Sequence, residues 1–225
     1  MQTQTSVPKP SVSLNQTLSI FIWLLLLNTA GLAAQGEWVS LFNGKDLEGW
    51  RQINGKARYE VKDGTILGIS VPDSPNSFLC TTKDYADFEL EFEVKVDKEL
   101  NSGVQIRSYS RPDYQNGRVH GYQVEIAVGG FSGGIYDESR RNKFLNAGQP
   151  AGEILALLKE NAWNQYRVRC QGSHIQTWVN GKQVTDLKDD LTASGFIGLQ
   201  VHGVGSRVDP LQVQWRNLRL RELKP

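Results

Sequence analysis

The sequence predicts an all-β fold, a sandwich or barrel of antiparallel strands, on three observations. Short runs with strand patterning recur through most of the chain, at 58–61, 65–69, 88–96, 103–109, 122–128, 166–170, 174–179, 196–201 and 213–220. Turn dipeptides fall between or beside them: Asn43-Gly44, Asn54-Gly55, Asp63-Gly64, Asn116-Gly117, Gly129-Gly130 and Asn180-Gly181. Many short strands punctuated in this way build antiparallel layers rather than a parallel sheet with crossover helices. Helical patterning is scarce. The best candidate is 151–160 (AGEILALLKE), where Ile154, Leu155, Leu157 and Leu158 would form one apolar stripe of a short helix.

Taken in order, the chain opens with a polar stretch holding one cation, Lys9, and then the apolar run 18–27 (LSIFIWLLLL), followed by Ala30, Gly31, Ala33 and Ala34. This is the pattern of a secretory signal cleaved near Ala33 or Ala34. The run is shorter than the ~20 apolar residues of a spanning helix, so a retained anchor is the weaker reading. The expected division is therefore a signal segment, 1–34, and one exported domain, 35–225, periplasmic or extracellular. Asp63-Gly64 lies between two strand runs and Asn180-Gly181 follows a third; both predict hairpins. Residues 88–94 alternate Phe88, Leu90, Phe92 and Val94 with Glu89, Glu91 and Glu93. That is a strand with one solvated face, not a catalytic pair of acids. The long irregular stretch 137–162 predicts a functional loop or lid, or a helix packed across a sandwich edge.

Composition narrows the ligand. The whole chain carries a formal charge of +1. Loss of the segment with Lys9, which holds no acid, brings it to neutrality. A neutral domain is poorly suited to capture nucleic acid or an acidic membrane by charge, and suits an uncharged ligand. Cys80 and Cys170 are the only cysteines. In an exported protein they are either one disulfide or two buried thiols, and neither has the spacing or the histidine company of a metal site. No nucleophile elbow, phosphate-binding loop or metal-ligand cluster occurs in the sequence, and neither cofactor nor metal is expected.

The chemistry lies in three alternating segments: 102–107 (SGVQIR), 121–126 (GYQVEI) and 196–202 (FIGLQVH). Side chains of a strand alternate between two faces. Each segment thus has one apolar face and one face of long polar groups: Gln105 and Arg107, Gln123 and Glu125, Gln200 and His202. A carboxylate and an imidazole on one face can act as base and acid. Arg107 would offer a planar set of donors to a developing oxyanion. Gln105, Gln123 and Gln200 would hold hydroxyl groups. For any one of these residues a buried polar network serves equally well; matched parity across all six favours a polar-substrate cleft. Sugar recognition also needs aromatic faces, and Trp50, Tyr122, Tyr136 and Trp178 are candidates, whereas Trp38, Trp163 and Trp215 read as packing. His120, which follows Arg118 in a turn, is a candidate rim residue. His174 reads as surface. Asp137 and Glu138 follow the polar strand across a glycine-rich turn, and Asp137 is taken as a substrate-binding candidate.

With these segments in hand, the chain resembles the 3-keto-disaccharide hydrolase domain family, formerly a domain of unknown function. The matching residues run in order through 40–50 (SLFNGKDLEGW), 82–94 (TKDYADFELEFEV), 101–107 (NSGVQIR), 117–126 (GRVHGYQVEI), 132–141 (SGGIYDESRR), 163–164 (WN), 177–181 (TWVNG), 195–203 (GFIGLQVHG) and 215–218 (WRNL). The resemblance implies a concanavalin A-like jelly-roll sandwich of two antiparallel sheets, with the site on the concave one. It implies action on glycosides whose sugar is oxidised to a ketone at C3. The ketone acidifies the C2 proton, a base removes it, the C1 leaving group is expelled, and water adds to the enone. On that chemistry Arg107 would face the enolate, Glu125 and His202 would share the base and acid roles, and the three glutamines would hold hydroxyls. Relatives often carry an acid where this chain has Ala127. Two other functions suit the same sandwich: a non-catalytic carbohydrate-binding module, which needs no titratable pair, and a conventional glucanase, which needs two carboxylates in the cleft.

Overall fold

The computed structural model describes residue 1 and residues 36–128, 130–145 and 157–224. The apolar run 18–27 and residues 151–156 of the expected helix lie outside them. Residues 157–160 are not helical, and no helix occurs among the described residues. Consequently none is long and apolar enough to cross a membrane.

In chain order the strands are β1 (Val39–Ser40), β2 (Trp50–Ile53), β3 (Arg58–Lys62), β4 (Thr65–Ile69), β5 (Ser77–Thr81), β6 (Phe88–Val96), β7 (Ser102–Tyr109), β8 (His120–Ile126), β9 (Ile135–Glu138), β10 (Asn164–Gln171), β11 (His174–Val179), β12 (Lys182–Lys188), β13 (Phe196–Val201) and β14 (Gln212–Glu222). They form two antiparallel sheets, as a jelly-roll sandwich requires. One sheet runs β12-β11-β10-β6-β14-β4-β3, with β1 on β14; the other runs β2-β5-β13-β7-β8-β9. Most neighbours in the six-stranded sheet are distant in sequence. Its centre, β13-β7-β8, joins the three polar segments of the sequence side by side.

The core lies between the sheets and follows from the period of two. Phe88, Leu90, Phe92 and Val94 of β6 point inward with Tyr166, Val168 and Cys170 of β10, all essentially inaccessible. Phe92 stacks on Tyr166 at 5.1 Å between ring centroids. The other sheet answers with Val104, Ile106, Tyr122, Val124, Ile197 and Leu199. Burial of each such side chain contributes ~1.5–3 kcal/mol, which makes this layer the main source of stability. The opposite face of β6 carries Glu89, Glu91 and Glu93 in ion pairs with Arg221, Arg219 and Arg216 of β14. The Glu91 and Glu93 pairs are partly solvated and of modest energetic weight, whereas Glu89 is buried beneath Arg167 and Arg221, so the expected solvated face does not extend to it.

The two cysteines are free and buried on different layers. Cys170 is in the inter-sheet core, whereas Cys80 packs with Phe78, Val119 and Phe196 on the far side of the six-stranded sheet. Burial raises both thiols well above their ordinary range, so each is an inert apolar filler. Val119 belongs to the turn 110–119, which folds over that far face. The turn is pinned by Asn54, whose amide donates to the Gly117 carbonyl and accepts from the Val119 N–H.

Candidate functional site

The six-stranded sheet carries a cleft of about 390 Å³ beside the turn 110–119. Its polar wall is made by Asn76, Asn101, Gln123, Glu125, Glu138 and His202. Phe131, Tyr136 and Phe144 form an aromatic wall, and Arg118 and Asn142 complete the rim. Two larger depressions lie elsewhere: one on the outer face of the eight-stranded sheet beside Glu91 and Arg219, the other near Lys83 and Glu222. In the first Arg219 pairs with Glu91, and in the second Lys83 pairs with Glu222. Among the described residues, the 390 Å³ cleft gathers a buried carboxylate, an imidazole and a guanidinium.

Register explains how the polar wall assembles. In the β7–β8 pair Gln105 faces Gln123 and Gly103 faces Glu125; in β13–β7, Gln200 faces Gly103. All four polar side chains thus leave the sheet on one face. Their hydrogen bonds form a directed chain. Ser108 Oγ donates to Gln105 Oε1 at 2.7 Å, Gln105 Nε2 to Gln123 Oε1 at 2.8 Å, and Gln123 Nε2 to Glu125 Oε2 at 2.9 Å. Asn101 Nδ2 donates to the other carboxylate oxygen, Oε1. Gly103 makes this possible: a Cβ there would lie 2.6 Å from Gln123 Cγ and Cδ, so any larger residue would push the amide off the carboxylate.

Glu125 is the electrostatic centre. Burial raises its pKa above the ordinary glutamate value, against the lowering effect of the Gln123 and Asn101 hydrogen bonds and of nearby His202; the charge of Glu138 raises it further. His202 has Nδ1 2.8 Å from the Gly203 carbonyl. A carbonyl can only accept, so Nδ1 carries hydrogen and Nε2 is left as the working nitrogen. Asn76 ties the walls together. Its Oδ1 accepts the Gly203 N–H at 3.0 Å and its Nδ2 reaches Glu138 Oε1 at 3.5 Å. Arg118 has no ion pair among the described residues.

Several expectations need correction. Arg107 does not face the cleft. It occupies a left-handed backbone conformation, φ 46°, in a bulge where the β7–β8 register shifts between Ile106 and Tyr109. The bulge turns its side chain to a fully buried site. There Nε donates to Ala86 O and Nη1 to Gly172 O, both at 2.6 Å, and Nη2 meets Asp87 at 2.8 Å. Gly195 packs against the bulge so closely that a Cβ would sit 2.5 Å from the Arg107 backbone. Gln105 and Gln200 share the face but do not reach the cleft: Gln105 is a buried relay, and the buried Gln200 amide has no hydrogen-bond partner among the described residues.

The aromatic and rim candidates divide in the same way. Tyr122 points into the core, where its hydroxyl meets Asp189 and Arg140 stacks on its ring. Asp137 lies opposite Tyr122 in the β8–β9 register, is wholly buried, and pairs with Arg140 and Arg141. Trp178 belongs to the other sheet, stacked with Arg167. Trp50 is buried, with its indole N–H on the Leu41 carbonyl. His120 packs on Tyr114, 4.1 Å between centroids, with Nδ1 on the Arg118 carbonyl; it shapes the turn behind the rim. Gln123, Glu125, Tyr136 and His202 do line the cleft.

Asn76, Asn101, Arg118, Phe131, Asn142 and Phe144 are absent from the sequence-derived set, and Glu138 is singled out there beside Asp137 without being taken as a site residue. For Glu138 a signal existed: Tyr136 faces Gln123, so the period of two carries Glu138, not Asp137, to the same face. Among the described residues no group of three or more His, Cys, Asp or Glu side chains is placed to hold a metal ion.

Comparison with known proteins agrees with this architecture. Residues 37–221 match the model of the 3-keto-alpha-glucoside-1,2-lyase-like domain. No curated protein matches the chain. Among solved structures it is similar to a candidate glycosyl hydrolase from Parabacteroides distasonis ATCC 8503, with 20% identity, TM-score 0.60, and 84% of this chain and 94% of that one covered. It is also similar to the carbohydrate-binding module CBM66 of Bacillus subtilis, with 15% identity, TM-score 0.55 and coverage of 76% and 93%. A third is the β-glucanase of Bacillus licheniformis, with 14% identity, TM-score 0.54 and coverage of 84% and 98%. At these identities the likeness concerns the fold.

Proposed function

Because the chain belongs to the 3-keto-alpha-glucoside-1,2-lyase-like domain family, we propose that it cleaves glycosides whose sugar carries a ketone at C3, by elimination across C1 and C2. One observation carries the reading: a buried carboxylate, Glu125, held on both oxygens by amide donors and opening onto a cleft that also contains His202 and Arg118. The C3 ketone acidifies the proton on C2. Glu125 takes that proton, the electron pair forms the C1=C2 bond, and the C1–O bond breaks with its electrons leaving on the aglycone oxygen. His202, protonated on both ring nitrogens, gives the Nε2 proton to that oxygen and keeps its hydrogen on Nδ1, bonded to the Gly203 carbonyl. Arg118, the cation of the rim, takes the role first expected of Arg107 and stabilises the enolate oxygen. Water then adds across the enone, hydroxyl to C1 and proton to C2, giving the free 3-keto sugar. The amide chain through Gln105 and Gln123 prepays the orientation of the base, which is where preorganisation lowers a barrier. Export belongs to the same proposal, on the strength of the apolar run 18–27 and the small residues up to Ala34.

A second reading has one observation in its favour. Glu138 shares the cleft with Glu125, so two carboxylates line it, the number that direct glycoside hydrolysis uses. Incubation of the purified protein with matched 3-keto and unoxidised glucosides separates the readings. Aglycone release from the keto forms alone is expected. Cleavage of the unoxidised set would move the assignment to the carboxylate pair, and binding without release from either would make the domain a binding module.

A further inference from the structure

The aromatic wall has no part in the proton transfers, and its construction is specific. Phe131 is 49% exposed and stacks on Phe144, with ring centroids 4.8 Å apart and an interplanar angle of 15°. Phe144 in turn meets Tyr136 edge-on at 5.2 Å. Tyr136 faces Gln123 across the β8–β9 pair, which places the innermost ring beside the amide that holds the base. The wall is backed by a backbone ladder. Leu145 N–H donates to Ile135 O at 2.8 Å and Asp137 N–H to Lys143 O at 3.0 Å, so 142–145 forms a short extra rung on the edge of β9. Phe144 is therefore fixed by the sheet edge, and Phe131 closes over it from the turn that follows β8.

A rigid ring stack open to water at a cleft mouth keeps apolar surface exposed until a ligand covers it. Val39, Leu191 and Val208, the other strongly exposed large apolar residues of the described domain, belong to no comparable ring cluster. A sugar platform usually combines an aromatic face with polar groups for the surrounding hydroxyls, and tryptophan or tyrosine serves best. The two outer rings here are phenylalanines and offer no polar atom. We propose that Phe131, Phe144 and Tyr136 form a leaving-group subsite for a planar, apolar aglycone, so that the preferred substrates are aryl 3-keto-glycosides rather than 3-keto-disaccharides. This rests on the elimination reading for its chemistry, though not for its binding. The two fit chemically, since a phenolate leaves with less help from an acid than a sugar alkoxide does.

The test has a kinetic and a binding arm. In the first, kcat/KM is measured for a 4-nitrophenyl 3-keto-glucoside and for a 3-keto-disaccharide, in the wild type and in Phe131→Ala and Phe144→Ala. Loss of one stacking contact should lower the aryl value by about tenfold and leave the disaccharide value nearly unchanged. In the second, calorimetry compares 4-nitrophenyl glucoside with methyl glucoside, both unoxidised, on the Glu125→Gln protein with and without Phe131→Ala. Tighter binding of the aryl glucoside, erased by Phe131→Ala, is expected. Equal kinetic losses for both substrates would show that the rings stack a sugar and would overturn the proposal, as would the absence of any aryl preference in binding. Failure of the elimination reading looks different: no keto-glycoside is cleaved, yet the aryl preference in calorimetry persists.

Discussion

Glu125→Gln is expected to abolish aglycone release from 3-keto-glycosides while leaving the protein folded. The substitution keeps the shape of the side chain and removes its ability to accept the C2 proton. Positioned general bases contribute ~10²–10⁴-fold, so a loss of about 10³-fold in kcat/KM is the expected scale. The pH profile should identify the same residue. A carboxylate base works only when ionised, so activity rises with pH as Glu125 loses its proton. Burial, the dominant influence, places that rise above the pKa of an ordinary glutamate, while the Gln123 and Asn101 hydrogen bonds and nearby His202 oppose the shift and Glu138 adds to it. The acid limb of the kcat/KM profile should therefore lie higher than for an unperturbed glutamate, and it should vanish in the residual activity of the glutamine variant. A wild-type rate in Glu125→Gln, or an acid limb unchanged by it, would remove Glu125 from the mechanism.

Arg107→Ala is expected to act on stability instead. The buried guanidinium satisfies the carbonyls of Ala86 and Gly172 and the carboxylate of Asp87, three acceptors from two separate parts of the chain. Removal of one partner from a buried charged network costs ~3–5 kcal/mol. Asp87 is 21% exposed and can take up water, which points to the lower end. At about 2–4 °C per kcal/mol for a domain of this size, Tm should fall by roughly 6–12 °C. Per folded molecule, measured well below Tm, the rate should stay close to wild type. An unchanged Tm with a rate loss of two or more orders of magnitude would return Arg107 to the active site.

The contrast between these residues shows how far one strand at a time can be read. Gln105, Gln123, Glu125 and Gln200 obey the period of two, and the two-sheet architecture follows from the same alternation and from the turn dipeptides; Asp63-Gly64 does join β3 to β4, and Asn180-Gly181 joins β11 to β12. Arg107 sits at the same parity and still points elsewhere, because a bulge with a left-handed residue breaks the alternation, and no turn dipeptide marks it. Trp178 alternates correctly within its strand, but which sheet the strand joins is a tertiary fact. Asp137 was one residue out of phase: a count through Tyr136 from Gln123 selects Glu138. Asn76 and Asn101 come from loops, where no period operates, and the Phe131–Phe144 contact joins two segments that share no pattern.

The central claim is that the bond breaks by removal of the C2 proton, and the fate of that proton tests it most directly. A 3-keto-glucoside is turned over in D₂O and the 3-keto sugar is read by NMR, with 3-keto-glucose alone as the exchange control. Elimination followed by hydration predicts one deuterium at C2 of the product, delivered when water adds to the enone. Product that keeps protium at C2, formed at the full enzymatic rate, together with an unchanged kcat/KM for substrate deuterated at C2, would mean that the glycosidic bond is cleaved without touching C2.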